Sequence, residues 1–140
     1  MSDHPLMKKL QLKGRRLHIF RLPGHMEGLF PEEAVRADRL PGGAEAVLGF
    51  AKSRDELAEL VSLILPGLAP DAVLWLAYPK KTSKRYKSDL TRDQGWAPLL
   101  PYNYEPVSQV ALDEDWSALR FKPFELIDSP ARKGRMVKDN

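Results

Sequence analysis

Residues 72–78 read AVLWLAY, an uninterrupted apolar run stopped by Pro79. A strand with one wet face alternates apolar and polar side chains, so an unbroken run of this length predicts a central strand buried on both faces. Just before it lies a helix signature. Ser53-Arg54-Asp55-Glu56 is a capping box, in which the serine hydroxyl and the glutamate carboxylate each satisfy a backbone N–H that the first helical turn leaves unpaired. Behind it Leu57, Leu60, Val61, Ile64 and Leu68 form one helical stripe, which Pro66-Gly67 ends or tightens. A one-faced helix feeding a two-faced strand implies a sheet with helices packed on it, the α/β arrangement.

The remaining segments extend that reading. Arg16–Leu22 (RLHIFRL), bounded by Gly14 and by Pro23-Gly24, predicts a first strand. Ala34–Asp38 predicts a short second strand, with a helical turn started by Pro31-Glu32-Glu33 as its rival, and Glu45–Ala51 predicts a third. Ser88 or Asp89 can cap a second helix carrying Leu90, Gly95-Trp96 and Leu99-Leu100, kept short or irregular by Gly95 and Pro98. Pro106–Leu112 and Trp116–Lys122 alternate on either side of Asp113-Glu114-Asp115 and predict an antiparallel hairpin. Along its second strand Trp116, Ala118 and Arg120 share one face, and Ser117, Leu119 and Phe121 the other. The expectation is a single α/β domain over residues 1–127: a small Rossmann-like, mostly parallel sheet with a C-terminal antiparallel hairpin. The basic tail at 128–140 has no apolar periodicity and is expected to be disordered.

Charge is what singles out a site. The chain carries 22 Lys/Arg and 19 Asp/Glu. Residues 1–16 hold five basic groups against Asp3, residues 79–92 hold six against Asp89, and the tail from Asp128 holds four against two. The body between these segments is therefore acidic, which argues against wholesale attraction to nucleic acid but leaves room for a local anion contact. The cationic loop that follows the central strand is the first candidate. Lys80 and Lys81 would supply charge, Thr82 and Ser83 hydroxyl donors, Arg92 a bidentate grip, and the expected helix N-terminus free N–H groups. The competing reading is a solvated connector. It is not a Walker loop, because no glycine lies between Pro79 and Gln94.

Other chemistry is thinly represented. With no cysteine there is no disulfide, thiolate nucleophile or Cys-based metal site. His4, His18 and His25 form no metal-ligand motif, so no metal is expected, and His25 with Glu27 is the one conceivable acid–base pair. Gly24-His25-Met26-Glu27-Gly28 sits where dinucleotide folds keep G-x-G-x-x-G, without the close-approach glycine. Asp38 stands where a ribose-binding carboxylate is expected in such folds. Ser117 is in no GxSxG elbow. Asp113-Glu114-Asp115 reads as turn chemistry, and Arg120 is placed to pair with one of those acids or to stack on Trp116. No catalytic residue and no cofactor are assigned. No apolar h-region or membrane-length run occurs, so a cytoplasmic domain is expected.

Three segments, AYPKKTS (77–83), SDLTRDQGW (88–96) and PVSQVALDEDWSALRFKP (106–123), resemble a bacterial family catalogued only as a domain of unknown function, with motifs Y-P-K-K-[ST]-S, D-L-T-R-D and D-x-x-W-S-A-L-R-F. The resemblance covers about 50 residues of the C-terminal half. It implies a Rossmann-like fold and no particular activity. Its matching polar residues are Lys80, Lys81, Ser83, Asp89, Thr91, Arg92, Asp93, Asp113, Trp116, Ser117 and Arg120, of which Asp89, Arg92 and Asp93 read as a capping and ion-pair network. The same layout looks like the sheet of S-adenosylmethionine-dependent methyltransferases, whose acidic D/E-x-G-x-G-x-G loop is replaced here by the segment from Arg21 to Gly28. The functional expectation is a non-catalytic domain binding a small anionic ligand through the 79–92 loop. Two alternatives are a degenerate methyltransferase-like enzyme and a nucleic-acid-contacting module.

Overall fold

The computed structural model describes residues 8–40 and 42–126. Six strands, β1 (Leu17–Phe20), β2 (Val35–Ala37), β3 (Ala44–Phe50), β4 (Leu68–Pro79), β5 (Tyr104–Ala111) and β6 (Trp116–Pro123), form one sheet in the order β2-β1-β3-β4-β6-β5. The first four are parallel; β6 runs antiparallel between β4 and β5. This is the mostly parallel Rossmann-like sheet with a terminal hairpin that the pattern implied. Among the described residues no helix is long and apolar enough to cross a membrane. The 128–140 tail lies outside the described residues.

The unbroken run in β4 has the expected cause. Leu74, Leu76 and Tyr78 face one core, with the helix α1 (Arg54–Ile64), while Val73, Trp75 and Ala77 face another on the opposite side. In α1 the buried residues are Leu57, Leu60, Val61 and Ile64, each worth about 1.5–3 kcal/mol when fully withdrawn from water. Leu68, placed on the helical stripe by spacing alone, instead opens β4, because a 3-10 turn at Leu65–Gly67 ends the helix first. The helix can lie close to the sheet because Gly49 of β3 has no side chain: a Cβ there would stand 2.8 Å from Leu60 Cδ2 and 3.1 Å from Ile64 Cδ1. Among the described residues the second face is covered without a long helix. Leu10, Leu12, Met26, Phe30 and Ala34 close it, and the Trp75 indole N–H donates to the Leu10 carbonyl at 2.9 Å.

The second helix is a correction. Residues 80–96 contain no helix, and only a 3-10 segment, Ala97–Tyr102, precedes β5. Two physical causes are visible. Thr91 Oγ1 accepts from the N–H groups of Asp93 and Gln94, donors that a helix begun at Ser88 would give to its own carbonyls. Gly95 has φ +100°, outside the right-handed helical region.

Candidate functional site

Chain direction reverses between β1 and β3. From β1 the chain leads outward to β2, and from β3 it leads the other way through α1 to β4. In open α/β sheets, ligands bind at the carboxyl ends of the strands flanking such a switch point. A cleft of about 530 Å³ occupies that place, within the range of small-molecule sites. Arg21, Pro23 and Gly24 follow β1, Phe50 and Lys52 end β3, Glu56 and Glu59 come from the first turns of α1, Tyr86 from the cationic loop, and Trp116 from the start of β6.

Its aromatic side is a packed trio. Trp116 meets Phe50 edge-on at 5.1 Å between centroids and Tyr86 likewise at 5.1 Å, distances at which aromatic pairs attract beyond their area. Lys52 Nζ lies 5.9 Å over the Tyr86 ring. The Trp116 indole N–H is buried with no acceptor among the described residues. The polar side is a charge-balanced rim. Arg21 donates to Glu59 at 3.1 Å with both groups well exposed, and it holds a left-handed φ of +60°, uncommon outside glycine. Glu56 Oε1 accepts from Lys52 N–H at 2.8 Å, while Ser53 Oγ accepts from Glu56 N–H. The capping box is therefore real, with its carboxylate bound one residue earlier than the N-cap itself.

The cationic loop is pinned to the hairpin turn. Lys80 N–H donates to the Asp115 carbonyl, Ser83 Oγ donates to Asp115 Oδ1 at 2.8 Å, and Arg85 Nε lies 3.4 Å from Asp115 Oδ2. Asp113 Oδ1 accepts from the N–H groups of Asp115 and Trp116, the turn chemistry expected of it. These contacts carry Tyr86 to Trp116. None of Lys80, Lys81, Thr82, Ser83 and Arg92 lines the cleft. The Ser83 hydroxyl is engaged, since it also accepts from the N–H groups of Arg85 and Tyr86. Lys81, Thr82 and Arg92 are exposed, and Lys80 is half-buried. Burial raises the Tyr78 phenol above its ordinary value, and the charge of Arg92 opposes that without overcoming it.

Asp89 takes a different role from capping a second helix. Its Oδ1 accepts from Arg54 N–H at 2.8 Å and its carbonyl accepts from Arg54 Nε at 3.0 Å, so it caps α1 from across the chain. Asp89→Ala should lower stability by about 1 kcal/mol, measured by urea unfolding; no change would mean that the loop does not hold the helix end.

His25 is a second correction. Glu27 turns to Arg36, 3.0 Å away, and His25 Nε2 lies 3.3 Å from Asp113 Oδ2. His25, Asp113 and Asp115 place ligand atoms within 4.8 Å of one another, a donor set able to hold a divalent cation. Sequence spacing could not show this, since His25 and Asp113 are 88 residues apart. Arg85, Ser83 and two backbone N–H groups already partner these carboxylates, so the cluster works as a fastener between the β1 loop, the cationic loop and the hairpin. Cleft residues Arg21, Lys52 and Tyr86 escaped the sequence reading; the capping box beside Lys52 was the available signal.

No family model and no curated protein matches the sequence. Solved structures do. The B. subtilis tRNA methyltransferase TrmK is similar over 94% of this chain and 73% of its own, with TM-score 0.53 and 12% identity. LepI in complex with SAM is similar over 85% of this chain, with TM-score 0.51 and 13% identity, and this chain spans 39% of LepI's length. At such identity the likeness is one of architecture alone, and it agrees with the Rossmann-like sheet described above.

Proposed function

We propose that this chain is a ligand-binding domain, without catalysis of its own, that takes a small molecule with a planar ring and an anionic group into the cleft between β1 and β3. The observation that carries the reading is the coincidence of the cleft with the switch point of the sheet. The half-buried Tyr86, backed by the buried Phe50 and Trp116, offers a surface for the ring, and the exposed Arg21 and Lys52 offer charge for the anion. Lys80, Lys81 and Arg92 lie outside this lining and add positive potential rather than contacts. Among the cleft-lining residues no serine, cysteine or histidine supplies a nucleophile paired with a base.

The second reading is a methyltransferase-like enzyme binding S-adenosylmethionine, favoured by the fold likeness. Against it, Arg21 stands in place of the acid of the glycine-rich loop, and Asp38 does not line the cleft. A thermal-shift panel of nucleotides, sugar phosphates and S-adenosylmethionine separates the two. A ligand at 100 times its Kd should stabilise by about 2.7 kcal/mol. A nucleotide response lost in Arg21→Ala but kept in the triple variant Lys80→Ala/Lys81→Ala/Arg92→Ala supports the cleft. Loss in the triple variant alone moves the site to the loop. A response confined to S-adenosylmethionine favours the enzyme, and silence across the panel sinks the small-ligand reading.

A further inference from the structure

At the other edge of the sheet, where the parallel strands begin, two adjoining hollows of about 230 and 450 Å³ share Lys13 and Arg15 in their walls. The smaller adds Arg120 and Lys122 with Asp71 as its one acid, and the larger adds Lys8 and Arg16 with Glu33. Arg120 reaches this edge because β6 runs antiparallel to β4 and ends where β4 starts. Arg15 comes from the turn before β1. Its tie to Asp71 is loose, at 3.7 Å with the carboxylate 74% exposed. Glu105, opposite Lys122 in the hairpin register, does not line the hollow.

Arg120 is the telling residue. It neither pairs with the acids of the hairpin turn nor stacks on Trp116, as its sequence position had suggested. Its Nε is buried with no acceptor among the described residues. Burial, and then the like charge of Arg15, lower its affinity for its own proton. An oxyanion beside this nitrogen would supply the acceptor it lacks and offset the like charge of Arg15. The backbone is unusual at the same place: Gln11 and Lys13, both lining the smaller hollow, have φ of +53° and +54°, the left-handed region uncommon outside glycine.

We propose that the smaller hollow is a phosphate-binding site, in which Arg120 and Arg15 grip the oxyanion and Lys13 and Lys122 form its rim. Guanidinium forks match phosphate oxygens in pairs. The phosphate is either a small ester or a link of a nucleic-acid backbone continuing past Lys8 and Arg16. The site is separate from the cleft and does not depend on it.

The test compares melting of the full chain and of Arg120→Met, with sodium pyrophosphate or a single-stranded octanucleotide, at matched ionic strength. The wild type should be stabilised by at least one probe. Arg120→Met should melt at the same temperature or higher without a probe, and should bind about 10- to 100-fold more weakly. Arg15→Gln, away from the core, should weaken binding in the same direction, and it decides the matter if Arg120→Met fails to fold. A pyrophosphate response that persists in 200 mM salt, a concentration of roughly physiological order, assigns a small phosphate ester. An oligonucleotide response falling steeply with salt assigns a backbone phosphate. No response of the wild type to either probe, or an unchanged response in both variants, overturns the proposal.

Discussion

Trp116→Ala should lower the unfolding free energy by about 3–5 kcal/mol, seen as an earlier urea midpoint at an unchanged slope. The side chain is 1% exposed and holds Phe50 and Tyr86 edge-on, so its removal opens a void where β3, β6 and the cationic loop meet. The same void would loosen the cleft, so the ligand response should disappear with it. Trp116→Phe is the sharper experiment. The Trp116 indole N–H has no acceptor among the described residues, so phenylalanine forfeits volume but no hydrogen bond. Trp75→Phe is its counterpart at equal burial, and there the lost N–H leaves the Leu10 carbonyl unpaired. The second substitution should therefore cost about 1–3 kcal/mol more than the first. Equal costs would mean that Trp116 finds an acceptor in solution.

Gly95→Ala should destabilise by about 2–4 kcal/mol. The backbone there has φ +100°, and an added Cβ would stand 2.5 Å from Leu90 Cδ2 and 3.3 Å from Arg54 Cγ. Leu90 is 2% exposed and cannot swing aside freely, while Arg54 is tied to Asp89. The damage should therefore reach the start of α1 as well as the loop. Gly28→Ala is the control: nothing lies within 4 Å of its Cβ position, so the change should stay within about 0.5 kcal/mol. Comparable losses at the two glycines would show that the 89–96 segment is not packed as described.

What the sequence revealed follows from how local each signal is. The doubly buried β4, the alternation of β5 and β6, and the cap and stripe of α1 are written in neighbouring residues, and each appears where its pattern lies. The false second helix came from reading Ser88, Asp89, Leu90, Trp96 and Leu99 as one amphipathic segment. Their hydroxyl and carboxylate groups were indeed caps, but for turns and for α1. The cleft was legible only in outline. The two strand-end loops do share one sheet edge, yet Arg21, Lys52 and Tyr86 converge through β1–β3 pairing and through the bonds from the loop to Asp115, which no local spacing encodes. The hollow around Arg120 is more distant still, since Arg15 and Arg120 are joined only by the running order of the sheet.

That running order bears on how the protein is made. β4, the longest strand, acquires its outer neighbour only when β6, the last of the described strands, has been synthesised. Between Pro79 and Trp116 the ribosome spends roughly 2–7 s at 5–20 residues per second. Through that interval the edge of β4 shows a row of unpaired amide groups and apolar side chains, the features that invite another chain to add on. β5 cannot shield it, because β5 reaches the sheet only through β6. The nascent sheet is thus most exposed to aggregation between the synthesis of β4 and that of β6, and slowing elongation after Pro79 should lower the soluble yield more than an equal delay before β3.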